Sequence, residues 1–481
     1  MAEEQQIESR KAVTGVVWAS VDQFTTMGLQ FISNLILARL LLPSDYGAVA
    51  MLSIFLVVSN TLIDGGFGNA LIQKKNPSQA DYSTIFFWNL ALSSFLYAIL
   101  FIFAPLIARF YDLPELCNVL RINGTILIIN SFLLIPNNRL RKQFAFKKLA
   151  IVNISSYIIA AGLAIWMAKS GFGVYALVAM HLAGGSFAAI FLFIVARWVP
   201  SLTFSIDSFR KLFSFGGYML AASLLQDICK NLQNLIIGKH YNSTQLGLYA
   251  QAQKLDQIPS YTLPQILVKV MFPLYSSMQD NKAKMGSVLM MNMRIIALWI
   301  FPLMSVLIIG SKSIFLLLYG QRWLDAVPYF QILCVGGFFV CLQNVTFYAV
   351  AAVGKSRALF AWSWVKWLTL FALLMIGMNL SMKGLLWCMV LSNVNIFFIN
   401  VYLSGKHVNT GILPLMTNLL PTIFCTATAW ASTQLIATIA SDNDIILCIS
   451  FLIVYVSTAI LFKLKGVKES GIIINKLLHR N

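Results

Sequence analysis

The sequence predicts an all-α integral membrane protein. It should have about fourteen transmembrane helices in two six-helix bundles, related by a pseudo-two-fold axis along the membrane normal, plus two C-terminal helices. Three observations predict this. Hydrophobic residues fill 59% of the 481 positions and charged residues only 11%, against about 25% charged in ordinary globular domains. Basic residues alternate in frequency from one connection to the next. A 17-residue stretch near the start also recurs 200 positions later.

A helix of roughly 20 apolar residues crosses the ~30 Å hydrocarbon core. The runs here are too long, and alternate too little, for the strands of a membrane barrel. The first run, 13–38, follows Glu3, Glu4 and Glu8, an acidic start unlike the basic region of a cleavable signal peptide. The second, 47–72, carries Asp64-Gly65-Gly66, which is expected to cap or kink it. Runs at 84–108, 117–138, 149–168 and 172–196 complete the first bundle. The connection from Arg197 to Phe213, with Pro200, should separate the bundles. The second bundle comprises 213–238, 246–274, 285–310, 326–352, 358–379 and 384–404. Pro259 and Pro264 should break 246–274, because proline removes a helical donor and crowds the preceding turn. The last two runs are 414–436 and 445–463. The expected domains are thus 1–204, 205–407 and 408–481, the last comprising two helices and a basic cytoplasmic tail.

Orientation follows from the basic residues, which concentrate in cytoplasmic connections. Seven of the 35 lie in odd-to-even connections (Arg39, Arg109, Lys169, Lys239, Lys312, Arg322, Lys383). Twenty-two lie in the N-terminal segment, the even-to-odd connections and the tail. Both termini are therefore expected in the cytoplasm. The net charge of +18 reflects this topology, and no nucleic-acid partner is needed to explain it.

The repeat aligns Asn34 to Ala50 with Asn234 to Ala250 without a gap, with five identities that include Gly47 and Gly247. Each copy reads as a helix end, a basic residue, a short turn and a new helix. The copies lie six spans apart and so point the same way, as in transporters built from parallel repeats.

Several chemistries are excluded. No connection exceeds about 17 residues, so no soluble catalytic or nucleotide-binding domain is expected. Gly354-Lys355-Ser356 mimics the end of a P-loop, but Ala349 stands where the motif needs glycine. The four histidines and seven cysteines show no metal-ligand spacing. No metal, cofactor or catalytic residue is expected, and the chain does not read as an enzyme.

Ionisable residues inside predicted spans are the functional candidates, since each costs about 2.5–3.5 kcal/mol at the bilayer centre on insertion scales unless it faces a cavity or partner. Lys254, Arg294, Lys366 and Lys230 are candidates for a cationic, substrate-binding cavity suited to phosphate or acidic sugars. Asp22, Asp64, Asp227 and Asp256 are candidates for ion coupling or structural pairing. Asp227 and Lys230 stand one turn apart and can pair. Lys254 and Asp256 cannot pair within one straight helix. Lys254, Arg294 and Lys366 lack a local acid. Arg121 and Lys269, near span ends, are read as snorkelling.

Some of these residues fall in familiar stretches. Arg39-Leu-Leu-Leu-Pro-Ser-Asp-Tyr-Gly-Ala-Val-Ala50 resembles the signature of the polysaccharide transporter family. Asp64-Gly-Gly-Phe-Gly-Asn-Ala-Leu-Ile-Gln73, Ala80-Asp-Tyr-Ser-Thr-Ile-Phe-Phe-Trp-Asn89 and Phe146-Lys-Lys-Leu-Ala150 extend the match. Leu246-Gly-Leu-Tyr-Ala-Gln-Ala-Gln-Lys-Leu255, followed by Ile258-Pro259, looks like the corresponding element of the second half. Together, over roughly the first 280 residues, they resemble the Wzx-type flippases, nearest the branch that handles colanic-acid-like exopolysaccharides.

The resemblance implies the multidrug/oligosaccharidyl-lipid/polysaccharide exporter fold and residence in a bacterial inner membrane. The implied substrate is an undecaprenyl-pyrophosphate-linked oligosaccharide, moved to the periplasmic leaflet by alternating access. Membrane lipids and a periplasmic-side polymerase are the implied partners. Relatives often carry an acid where this chain has Gln233 and Asn153, so the resemblance assigns no ion site. The alternatives are a cation-coupled multidrug exporter of the same fold and an intramembrane glycan polymerase or ligase.

Overall fold

The computed structural model describes residues 2–408, 410–439 and 443–478. Arg480 and the side chain of Lys269 lie outside what is described. The described chain packs into two compact units, Met1–Gly247 and Leu248–Asn481.

In the first unit, α1 (Ala2–Leu40) leads through a tight turn into α2 (Pro43–Asp64). A short α3 (Phe67–Gln73) follows, then α4 (Gln79–Phe110), α5 (Glu115–Asn123) and α6 (Ile126–Lys142). Three long helices close the unit: α7 (Phe146–Lys169), α8 (Val174–Ala196) and α9 (Ile206–His240). The break expected in 47–72 falls at Gly65 and Gly66, whose φ values of 54° and 71° place both in the left-handed region that favours glycine.

The second unit begins within α10 (Ser243–Gln257), which passes through a π-helical turn at Ile258–Thr262 into α11 (Leu263–Ser276). The expected break of span 246–274 therefore falls at Pro259, where the missing N–H removes a helical bond. Next come α12 (Lys282–Ile309), α13 (Ser311–Leu318), a 3-10 turn at Gln321–Ala326, α14 (Val327–Ala352), α15 (Ser356–Met378) and α16 (Met382–Val408). The chain continues through α17 (Ile412–Thr417), α18 (Leu420–Ile439), α19 (Asp444–Leu461) and α20 (Lys465–Leu478). Helix α12 is central: Trp430 of α18 donates to the Ser305 hydroxyl (3.0 Å), and Tyr455 of α19 donates to the Leu298 carbonyl (2.9 Å).

Every one of the fourteen expected spans is helical, and among the described residues eleven helices are long and apolar enough to cross a membrane. The three that fall short correspond to 13–38, 213–238 and 246–274. Each carries a polar stripe: Asp22, Thr25 and Thr26 in α1; Asp227, Lys230, Asn231 and Asn234 in α9; Gln251, Lys254 and Asp256 in α10. Helices that face polar neighbours rather than lipid need less apolar surface.

The repeat is visible in the backbone. Helices α1 and α9 end at Leu40 and His240, and α2 and α10 begin at Pro43 and Ser243, both in a register of 200. The two starting turns touch reciprocally. A methyl built on Gly47 would lie 1.7 Å from the Ser243 carbonyl oxygen, and one on Gly247 would lie 1.8 Å from the Pro43 carbonyl oxygen. Residue 43 meets 247 as 243 meets 47, the self-complementary pattern of a two-fold axis.

The packing units do not divide where the bundle boundary was expected. Trp198 and Leu212, both within the connection, are buried with Phe67, Leu71, Ile85 and Phe86 in one apolar cluster. Trp198 Nε1 donates to Gln79 Oε1 (2.8 Å), and the backbone N–H of Ser205 donates to Thr84 (3.0 Å). This docking carries α9 onto α2. In the tail, α20 is a helix packed on α12.

Candidate functional site

The candidate residues are spread over both units, and the sequence separations of their partners are large. In the first unit Asp22 accepts from Asn153 Nδ2 (2.9 Å) and Thr26 Oγ1 (3.3 Å), which ties α1 to α7. Nearby, Ser33 and Tyr157 share a 2.6 Å hydroxyl bond between the same helices. Asp227 accepts from Thr61 Oγ1 (2.6 Å) and ties α9 to α2. The Asp227–Lys230 pair expected from spacing is not formed: among the described residues the two make no ion pair, and Lys230 is exposed. Spacing allowed that pair, but a hydroxyl on the facing helix lies closer. Asp64 ends α2 beside a polar pocket against α6.

In the second unit the π-turn brings Ser260 back onto Asp256, which is 5% exposed and accepts from the serine hydroxyl at 2.6 Å. Gly337 of α14 makes room for that turn, since a methyl there would lie 2.4 Å from Ser260 Oγ. Lys254, two residues earlier, is solvent-accessible. Lys366 of α15 donates to Asn400 Oδ1 of α16, and its ammonium lies 5.5 Å from the Phe347 ring centre, within cation–π range. Asn400 is 2% exposed, and its own amide donates to the Gln343 carbonyl (3.2 Å). Among the tryptophans around Lys366, Trp362 packs edge-on to Tyr402, while Trp364 is 51% exposed.

Arg294 has an acidic partner that its own span does not supply. Expected as a cavity cation without an acid, it forms a two-pronged ion pair with Glu469 of α20, with Nε on Oε2 at 3.0 Å and Nη2 on Oε1. Its Nη1 donates to Asn418 Oδ1 (2.6 Å) at the C-cap of α17, and the Asn418 amide donates to the Met290 carbonyl (2.8 Å). Arg294 thus clamps α12 to the C-terminal helices. The partner lies 175 residues away, in a segment read only as a basic tail, so spacing carried no signal for it.

Arg294 and Glu469 are each about one-fifth exposed, so removing one member should cost less than the about 3–5 kcal/mol of a fully buried pair, whereas replacing both members by apolar groups is often neutral. Arg294→Ala and Glu469→Ala should therefore both reduce the amount of folded protein several-fold, and Arg294→Met with Glu469→Leu should restore it. Membrane-fraction immunoblots and thermal unfolding of purified protein measure this. Normal accumulation of Arg294→Ala would return Arg294 to the list of cavity cations.

Four of the other candidates share neutral partners. Asp22, Asp227, Asp256 and Lys366 are each held by amides or hydroxyls. Among the described residues the ion pairs are Lys74–Asp81, Lys239–Asp112 and Arg294–Glu469, none of which includes these four. Neutral hydrogen bonds orient a charge inside a membrane protein without cancelling it.

Comparison with known proteins places this geometry. Residues 36–328, which include both copies of the repeat, match the family model described as polysaccharide biosynthesis protein. The chain is 24% identical over 404 residues, 82% of each chain, to the teichuronic acid biosynthesis protein TuaB of Bacillus subtilis (strain 168). It is 24% identical to the succinoglycan biosynthesis transport protein ExoT of Rhizobium meliloti (strain 1021), covering 75% of this chain and 73% of that one. It is 23% identical to the lipopolysaccharide biosynthesis protein WzxC of Escherichia coli (strain K12), covering 69% and 68%.

Among solved structures, the inward closed conformation of the lipid II flippase MurJ superimposes with a TM-score of 0.72 at 14% identity, covering 93% of this chain and 98% of that one. An inward-facing multidrug resistance MATE family transporter gives 0.60 at 14% identity, covering 81% and 98%. Those two likenesses establish the fold, and the match over 36–328 establishes the family: the chain is a multi-pass membrane protein that belongs to the polysaccharide biosynthesis protein family.

Proposed function

We propose that this protein is a flippase that moves an undecaprenyl-pyrophosphate-linked oligosaccharide from the cytoplasmic to the periplasmic leaflet of a bacterial inner membrane. The observation that carries this reading is a set of polar, charge-bearing helices in a chain of this family, with charges held by neutral partners. Moving one sugar hydroxyl from water into hydrocarbon costs about 4–8 kcal/mol, so an oligosaccharide does not cross lipid at a useful rate without a polar path. The relatives named as polysaccharide transport and biosynthesis proteins support the substrate class. Alternating access suffices for the task, and no covalent step is involved. We further place both termini in the cytoplasm, and take 1–204, 205–407 and 408–481 as the functional divisions. A periplasmic-side polymerase would consume the product. Asp22, Asp64, Asp227 and Asp256 are the acids available to couple an ion gradient, and Lys230 and Lys254 join Lys366 as cations for the pyrophosphate or acidic sugars.

The test is a deletion strain without a paralogue. Lipid-linked repeat units should accumulate in the inner leaflet while surface polymer disappears, read by lipid extraction and polymer staining. Unchanged polymer would overturn the assignment. The likeness to a multidrug transporter supplies a second reading. Drug hypersensitivity with intact surface glycan would favour it.

A further inference from the structure

The first unit contains a pocket of about 320 Å³ between the α2–α3 turn and α6. Asp64, Asn130, Asn137, Asn138 and Arg141 supply its polar wall, and Leu133 and Leu134 an apolar one. The volume is roughly ten times the share of one water in the liquid, far more than a bare ion needs. It sits at the low end of small-molecule pockets.

The wall holds hydrogen-bonding capacity that the protein leaves unused. Asn138 is only 6% exposed, yet its Nδ2 has no partner, and the buried Asn137 Oδ1 has none either. Buried polar groups left so are costly, and native structures seldom carry them without a reason. One of these groups donates and the other accepts. Gly68, at the second position of α3, keeps the space open. A methyl there would lie 3.1 Å from Asn138 Nδ2 and 3.2 Å from Asp64 Oδ1, so the amide and the carboxylate both face the gap its hydrogen leaves. Next to the pocket, Lys142 ties the end of α6 to the end of α3, its ammonium bonding the carbonyls of Leu71 (3.3 Å), Ile72 (3.4 Å) and Lys74.

We propose that this pocket binds one sugar ring of the transported oligosaccharide, on the cytoplasmic side, through its hydroxyls. A hydroxyl both donates and accepts, so neighbouring hydroxyls satisfy the unused Asn138 donor, the Asn137 acceptor and the Asp64 carboxylate together. The leucines meet the C–H face of the ring. Arg141, exposed at the mouth, meets an acidic substituent where the sugar carries one. This rests on the proposed function for its substrate class, but its test does not need transport.

The full-length protein, purified in nanodiscs, is probed by saturation-transfer NMR with methyl glycosides of glucose, galactose, glucuronate and galacturonate. At least one should receive saturation. Binding should be about tenfold weaker in Asn138→Leu, the ratio expected for losing hydrogen bonds to a buried amide, and weaker still in Gly68→Val. Thermal unfolding of both variants serves as the folding control, and Asn137→Leu is the substitute if either fails it. Transfer to none of the four glycosides by the wild type, or equal transfer by folded variants, would overturn the pocket. Flipping of the lipid-linked oligosaccharide in proteoliposomes is measured separately. Flipping without glycoside binding rejects the subsite alone, and glycoside binding without flipping rejects the transport reading alone.

Discussion

Gly47→Ala is expected to remove most of the folded protein, and Gly247→Ala to do the same. At either position the new methyl would sit within 2 Å of a carbonyl oxygen in the other copy of the repeat: 1.7 Å from Ser243 O, or 1.8 Å from Pro43 O. An ordinary contact needs at least 3.4 Å. No rotamer change relieves the overlap, because the obstructing atoms are backbone. The starting turns of α2 and α10 would have to separate. Overpacking of side chains alone costs about 1–3 kcal/mol, and forcing two backbones apart costs more. A loss of even 1–2 kcal/mol changes cellular abundance several-fold. Gly162→Ala in α7 is the control, since nothing lies within 4 Å of a methyl there and alanine favours helix over glycine by about 1 kcal/mol. Membrane-fraction immunoblots should show little of the first two variants and a normal amount of the third. Wild-type levels of Gly47→Ala would mean that the two turns do not approach as described.

That contact shows what sequence can and cannot carry. The repeat, its register and its turns were readable because helix ends and turns are encoded within a few residues. The breaks at Gly65-Gly66 and Pro259 were readable for the same reason: left-handed φ and a missing N–H are local properties. That the two copies touch was not readable, since nothing in either stretch states its distance from the other. The partners of the half-buried charges failed in the same way. Glu469, Asn400, Thr61 and Asn153 lie 175, 34, 166 and 131 residues from Arg294, Lys366, Asp227 and Asp22. Three of the four are neutral, so a search for opposite charges would pass over them. That Trp198 and Leu212 pack over Phe67 and Phe86 was not readable either, because both residues read only as parts of a connection.

Lys366→Ala is expected to leave the amount of protein near normal and to cut export at least tenfold. The stability cost is modest. Asn400 loses one partner but keeps the Gln343 carbonyl, and the Phe347 face loses a cation. Removing a charge from membrane depth also relieves its insertion cost. The functional cost is larger if the ammonium meets an anionic headgroup, because a hydrogen bond to a charged group is worth about 1.5–3 kcal/mol and each 1.4 kcal/mol is a factor of ten. Lys366→Arg should retain more export than Lys366→Ala, since attraction to an anion needs charge before shape. Asn400→Ala should fall between them, because it frees the ammonium from its anchor without removing it. Measured export must be normalised to protein level. Full export by Lys366→Ala would show that this cation serves only to join α15 to α16. Equal loss in Lys366→Ala and Lys366→Arg would show that the amide contact geometry, and not the charge, is what transport requires.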